Sequence, residues 1–286
     1  MYAVTGATGQ LGRLVIQTLL KTVAPDQIVA AVRDPSKAAD LAAKGVQVRE
    51  ADYNGPDKLR TAFTGVDRLL LISSSEVGGR TPQHRAVIDA AKVSGVKLIA
   101  YTSMLHADQS PAKLAVEHRE TEAALAASGL TIVLLRNGWY TENYLLSLKP
   151  ALEHGVMLGA AKDGRISLAS RRDYAEAAAQ ALTVENGENR TYELAGTSAT
   201  TLSEFAAKLS RQADRRVAYH DLSEADFRAA LIGAGLPPPF ADLLADADAR
   251  AADGALFDDG GELSGLIGRQ TTPVEDTIAE AFASAK

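Results

Sequence analysis

The chain contains no cysteine. Disulfides, thiolate nucleophiles, cysteine-ligated metals and iron–sulfur clusters are therefore excluded. Aromatic residues are scarce, at 5% of 286 positions, while alanine is abundant, a composition suited to many closely packed helices. No apolar run approaches the roughly 20 residues of a membrane span. No secretory leader is read at the start, where Met1 runs straight into an apolar stretch. Positive charge is not in excess either. Thirty basic and 36 acidic side chains leave a net charge of −6, which offers a polyanion such as nucleic acid no electrostatic reason to bind. The expectation is a soluble, cytoplasmic protein with no nucleic-acid or membrane partner, long enough for one full α/β domain and a smaller attachment.

What is present begins at residue 1. Tyr2–Val4 is a short apolar run suited to a buried strand, and Thr5–Gly12 sets Gly6, Gly9 and Gly12 in a G-x-x-G-x-x-G frame. Leu11, Leu14, Val15, Ile16, Leu19 and Leu20 follow at helical spacing. Strand, glycine-rich turn and helix in that order form the context of a dinucleotide fingerprint. Gly6 permits the tight turn, Gly9 lets the backbone approach a pyrophosphate, and Gly12 lets the helix pack close to the strand. Free N–H groups at the helix start then face the phosphates.

Further strands are read at Ile28–Val32, Val46–Glu50, Arg68–Ile72, Val96–Thr102 and Thr131–Arg136, each separated from the next by a helical stretch. Six strands alternating with helices predict βαβ units and right-handed crossovers. Their near-continuous apolar character predicts a parallel sheet covered on both faces. The fold class is α/β, a Rossmann-type doubly wound parallel sheet in three layers, with a smaller mixed α/β C-terminal domain. The expected boundaries are 1–135 and 136–286, with some later segments returning to the main sheet. In the second part, helices are expected at Leu145–Glu153, Tyr174–Val184 (capped by Asp173), Thr201–Ser210, Ser223–Ile232, Phe240–Ala249 and Val274–Ala283. Short strands are expected at Ile166–Ala169, Arg190–Ala195 and Val217–His220, and residues 254–268 read as loop.

The end of the second strand decides the cofactor. An NAD site sets an acidic side chain there for the ribose 2′-OH. This chain has Arg33, whose guanidinium can fork onto a 2′-phosphate, with Lys37 close enough to help. Asp34 is the competing reading, but it belongs to an Asp-Pro-Ser turn; a solvated surface arginine is the plain alternative. The expected cofactor is thus NADP. Asp52, after the third strand, can accept from an adenine amino group or simply close a turn. Ser73, Ser74 and Ser75 follow the fourth strand, and Thr102 and Ser103 the fifth. Asn137–Tyr144, NGWYTENY, lies beyond the sixth strand, where open α/β sheets bind ligands.

The group that polarises an acceptor is less sharply marked. His106, His118, Tyr101, Tyr140, Tyr144, Lys113 and Asn143 are candidates, and His118, Asn143 and Tyr140 are preferred. His118 has Glu122 at i+4, which also describes a solvated surface pair. H-x-x-x-E lacks a third ligand, so no metal is expected.

Five segments carry a resemblance: AVTGATGQLG (Ala3–Gly12), VAAVRD (Val29–Asp34), ISSSEVG (Ile72–Gly78), IAYTSMLHAD (Ile99–Asp108) and LRNGWYTENY (Leu135–Tyr144). Over essentially its whole length the chain resembles the NmrA-like group of atypical short-chain dehydrogenases/reductases. It looks most like the bacterial NADPH-dependent quinone oxidoreductases of that group, and next most like the triphenylmethane dye reductases. The Tyr-x-x-x-Lys pair of ordinary members is replaced by Leu114 and His118, which argues against ordinary alcohol dehydrogenation and suits an easily reduced acceptor. The resemblance implies that Gly6, Thr8, Gly9, Gln10, Leu11, Arg33, Ser73, Ser74, Ser75 and the run Asn137, Gly138, Trp139, Tyr140, Thr141, Glu142 and Asn143 hold NADPH. It implies that Trp139, Tyr140 and Asn143 border a small quinone, and that Arg171 reaches the cofactor or the cleft between the domains. Three functions stand open at this point: NADPH:quinone oxidoreductase without flavin, reductase of another conjugated acceptor such as a cationic dye, and an NADP(H)-sensing regulatory protein. A monomer and a homodimer are both compatible with the chain.

Overall fold

The computed structural model describes residues 1–184 and 187–284. The chain runs β1 (Tyr2–Thr5), α1 (Gln10–Leu19), β2 (Ile28–Val32), α2 (Ala39–Ala42), β3 (Gln47–Glu50), α3 (Pro56–Ala62), β4 (Arg68–Leu71), α4 (Arg80–Val93), β5 (Leu98–Met104), α5 (Lys113–Ala126) and β6 (Thr131–Asn137). It continues with α6 (Thr141–Leu145), α7 (Leu148–His154), β7 (Val156–Gly159), α8 (Arg171–Thr183), β8 (Arg190–Leu194), α9 (Leu202–Ala213) and β9 (Ala218–Asp221). The last helices are α10 (Glu224–Gly233), α11 (Pro238–Ala251), α12 (Glu262–Ile267) and α13 (Val274–Ser284).

Seven strands form one sheet in the order β3-β2-β1-β4-β5-β6-β8. The pairings from β3 through β6 are all parallel. Strands β2 and β5 are buried along their whole length, as a sheet with both faces covered requires. On one face Ala3, Val29, Leu69, Leu71 and Ile99 pack with Leu59 and Phe63, Val87 and Ala91, and Leu125. β8 returns from the later half of the chain to the sheet edge. A separate two-stranded parallel sheet pairs β7 with β9, Val156 opposite Ala218.

The contacts divide the chain into two units. The first comprises Met1–Ala107, Val116–Asn137 and Tyr174–Tyr192; the second comprises Asp108–Ala115, Gly138–Asp173 and Glu193–Lys286.

Several expected elements differ. Ile166–Ala169 makes only isolated bridges, Ile166 to Thr200 and Tyr140 to Ala169, so it is not a strand. The helix expected at Leu145–Glu153 is two short helices, α6 and α7. Residues 254–268 contain α12. Asp173 is not the cap of α8, because the helix starts one turn earlier. Ser170 is the cap: its Oγ accepts the Asp173 N–H at 3.2 Å, and Asp173 accepts back from the Ser170 N–H and hydroxyl. This reciprocal arrangement needs its acidic residue three positions inside the helix. Asp173 also accepts from Thr272 and Arg269, which ties α8 to the segment before α13.

Candidate active site

The strand order reverses between β1 and β4, so the loops after these two strands diverge and leave a crevice. The glycine turn forms one wall. Gly6 has φ +58°, a left-handed conformation that favours glycine. A Cβ on Gly12 would stand 2.5 Å from the Gly6 carbonyl oxygen and 2.7 Å from Ala7 Cα, so only a glycine lets α1 start this close under the strand. No side chain caps α1, and its first turn carries no acidic residue. Its leading N–H groups and dipole are open to an anion. Residues Gly6, Thr8, Gly9, Arg33, Asp52 and Ser73–Ser75 line a single polar cavity of about 360 Å³, wholly within the first unit. Gln10, Leu11 and Gly12 are not on its wall: Gln10 opens α1, while Leu11 and Gly12 are buried beneath the turn.

Arg33 projects into solvent at this cavity and pairs with Glu76 at 3.2 Å. Asp34 accepts from the Ser36 N–H at 3.0 Å and the Ser36 hydroxyl at 2.6 Å. It is the turn residue, which leaves Arg33 as the side chain presented to the crevice. Asp52 lines the cavity and also closes its own turn by accepting from the Asn54 N–H at 2.9 Å.

The serine loop is fixed from behind. The Ser73 N–H donates to Thr102 Oγ1 at 2.9 Å, and the Ser74 N–H donates to His84 Nε2 at 2.9 Å. With Nε2 accepting, His84 carries its proton on Nδ1, which faces Thr121 Oγ1 at 2.9 Å. Burial, and after it the nearby Arg80 guanidinium, push His84 down to about 4. It therefore stays neutral and keeps this tautomer at physiological pH. His84, Tyr53 and Glu76 escaped the sequence reading. The Tyr53 hydroxyl donates to Ile72 O at 3.0 Å and meets Thr5 Oγ1 at 2.6 Å. A lone histidine on an amphipathic helix gives no sign that its ring meets a loop ten residues earlier.

Two expected site residues are placed elsewhere. His118 is 3% exposed, with Nδ1 hydrogen-bonded to the Tyr101 hydroxyl at 2.7 Å. Burial, then Arg80 and His84, push it down to about 3. It is neither a solvated partner of Glu122 nor a group that can reach an acceptor. Glu122 instead accepts from Arg136 at 2.8 Å and from the Ser103 hydroxyl at 2.5 Å. Ser103 thus spends its hydroxyl inside the protein rather than on a ribose.

In the second unit the motif after β6 becomes a bridge and a short helix. The Thr141 N–H donates to Ala169 O at 2.9 Å, which brings residues 139–143 beside 169–171. Glu142 accepts the Arg171 N–H at 2.9 Å. The Arg171 guanidinium lies 4.8 Å over the Tyr140 ring and donates to Asn143 Oδ1 at 3.3 Å. Tyr140, Glu142, Asn143 and Arg171 therefore form one cluster. Trp139, Asn143 and Tyr144 border a second cavity of about 580 Å³, mainly apolar and wholly within the second unit. Its one acidic wall residue is Asp248, 2% exposed, which accepts from the Tyr144 hydroxyl at 2.9 Å and the Ala160 N–H at 3.1 Å. Burial pushes this carboxyl up to about 6. No group of three or more metal-ligating side chains occurs among the described residues. No helix among them is long and apolar enough to cross a membrane.

The chain belongs to the NAD(P)H-binding family, whose model matches residues 6–185. It is 58% identical to quinone oxidoreductase 2 of Escherichia coli strain K12 over 282 residues, 99% of either chain. The structure of the E. coli NADPH-dependent quinone oxidoreductase in complex with NADPH superposes with a TM-score of 0.96, covering 99% of this chain and all of that one. Triphenylmethane reductase of Citrobacter sp., complexed with NADP(H), is 39% identical with a TM-score of 0.94, covering 98% of this chain and all of that one.

Proposed function

We propose that this protein is an NADPH-dependent quinone oxidoreductase that passes a hydride directly to a small quinone without a flavin. The observation that carries the reading is the polar crevice at the strand reversal, with Arg33 where a 2′-phosphate is recognised. The tight glycine turn, where a Cβ on Gly12 would strike the Gly6 carbonyl, and the uncapped start of α1 fit a pyrophosphate. Bound NADPH supplies the hydride, and that chemistry belongs to the cofactor. The protein's own residues bind and orient. Gly6, Thr8 and Gly9 approach the phosphates, Arg33 holds the 2′-phosphate, and Ser73–Ser75 present a wall fixed by Thr102 and His84. Asn143, braced by Arg171, offers its amide to the acceptor oxygen on which charge develops, with Tyr140 and Trp139 beside it. Hydride transfer leaves the hydroquinone monoanion, and the one proton that completes the hydroquinone comes from water, so no dedicated acid is needed. A cytoplasmic setting without nucleic acid accords with the lack of cysteine and the negative net charge.

Loss of NADPH absorbance with a benzoquinone or naphthoquinone, with NADH beside it, tests the reading. Arg33→Ala is expected to raise KM for NADPH at least tenfold and leave kcat within about twofold, as loss of a charge-assisted fork predicts. Unchanged KM removes Arg33 from the site. A second reading, reduction of a cationic triphenylmethane dye, is favoured by the likeness to the Citrobacter enzyme and is run in the same assay. Tight NADPH binding without turnover of either acceptor would leave a cofactor-sensing protein.

A further inference from the structure

The cavity of the second unit is too large and too apolar for a bare quinone ring. It holds about 580 Å³, within the 300–1,000 Å³ or so that enclose drug-sized ligands, and benzoquinone fills only a fraction of that. Its walls are Pro150 and Ala151 of α7, Val156 of β7, Leu231 of α10, Leu236, and Leu244 of α11. The polar lining residues include Asn143 and Tyr144 of α6, Ser147, His154 at the end of α7 and the buried Asp248 of α11. Leu146 and Leu158, also on the lining, are 63% and 37% exposed. Two large aliphatic side chains left in water beside an open apolar cavity form a greasy rim.

We propose that this cavity is a binding site for the apolar substituent of the acceptor, an alkyl or isoprenoid chain carried on the quinone ring. The proposal rests on the quinone reductase reading. The ring lies against Asn143, and the chain runs from it along Pro150, Val156 and Leu231 to the rim at Leu146 and Leu158. The preferred substrate class is therefore a chain-bearing quinone rather than an unsubstituted one. Burial of a methylene against such walls improves binding by about three- to fourfold, so a few carbons suffice for a measurable preference. The contribution falls on KM, because the chain is equally buried before and during hydride transfer.

Two measurements test it. KM and kcat with NADPH are compared for unsubstituted, butyl- and hexyl-benzoquinone, in the native protein and in Ala230→Phe and Ala234→Phe, which place a ring into the cavity from α10 and its end. KM is expected to fall at least tenfold from the unsubstituted to the hexyl compound at similar kcat. In the filled variants that preference collapses to within about twofold while the unsubstituted quinone is turned over as before. The second measurement needs no turnover. Trp139 is the chain's only tryptophan and lies in the cavity wall, so its emission reports occupancy. The redox-inert 1,4-dimethoxy-2-hexylbenzene is expected to give a saturable change that either phenylalanine variant abolishes. Reduction of the unsubstituted quinone with no chain preference and no Trp139 response overturns the inference and spares the reductase reading. If no quinone is reduced yet Trp139 still responds, the reductase reading falls and the acceptor assignment with it. The cavity then remains a site for another apolar ligand.

Discussion

The two cavities of this protein are built from opposite materials. The one in the first unit is lined by glycine backbone, short hydroxyls, one arginine and the carboxylates of Asp52 and Glu76, with its loop held in place by buried imidazole and threonine. The one in the second unit is lined by aliphatic side chains from helices, with a buried carboxyl among them. The first suits a ligand whose charge and shape are constant, since backbone N–H groups in a fixed turn recognise phosphate and little else. The second suits ligands that vary, since aliphatic walls discriminate by volume and only weakly by chemistry. A shared cofactor and differing acceptors across related reductases are what such a division of labour allows.

The largest expected effect breaks the first cavity. Gly12→Val drives a Cβ into the Gly6 carbonyl and Ala7 Cα, backbone that cannot swing aside. Overpacking of this kind costs about 3 kcal/mol, or roughly 5–10 °C in Tm for a chain of this size, and NADPH binding measured by calorimetry is lost. Retained binding would show that the pocket does not depend on this close approach.

The next separates the units by pH. Asp248 is raised to about 6 from the ordinary 3.8 by burial. The folded state then binds more protons than the unfolded, and this group's stability contribution declines as pH rises from about 4 to 6, by roughly 2–3 kcal/mol. His84 and His118 are lowered to about 4 and 3 from 6.5. The unfolded state binds more protons there, so their contribution is lost as pH falls from about 6.5 towards 4. The two effects oppose each other. Urea melts across pH 4–7 are expected to show a steeper acid loss in Asp248→Asn and a shallower one in His84→Gln. Parallel profiles in all three proteins would refute the shifted titration of buried groups in both units.

A smaller effect bears on the acceptor. Asn143→Ala is expected to lower kcat with a quinone about tenfold, the loss of one donor to a developing oxyanion in a partly open site, with the Kd for NADPH unchanged. A change confined to Kd would move Asn143 to the cofactor. The smallest effect concerns Glu76, which occupies Arg33 at 3.2 Å in an exposed pair. Such pairs contribute little, so Glu76→Gln is expected to lower KM for NADPH only two- to threefold, and less at high salt.

How much of this was legible in the sequence follows the range of the interactions. Buried parallel strands advertise themselves, and β2 and α1 begin where the apolar run and the glycine turn place them. Arg33 stands on the crevice wall at the end of β2, where counting along one βαβ unit puts it. β7 was missed, since its four residues pair with β9 some 60 positions later and carry no pattern of their own. His118 looked like one half of a helical surface pair, and only the fold reveals that its helix face meets Tyr101. The apolar cavity could not be foreseen for the same reason. Its walls come from α6–α7 and α10–α11, stretches about 85 residues apart that each read as ordinary amphipathic helix.

The chain passes between its two units five times, after residues 107, 115, 137, 173 and 192. Neither unit is a contiguous piece of the gene. Truncation at residue 137 would remove β8 from the edge of the seven-stranded sheet and take most of α8 from the first unit. No single crossover in the gene therefore separates the two units as wholes, even though the residues lining the polar pocket and the apolar cavity come from different stretches of the chain.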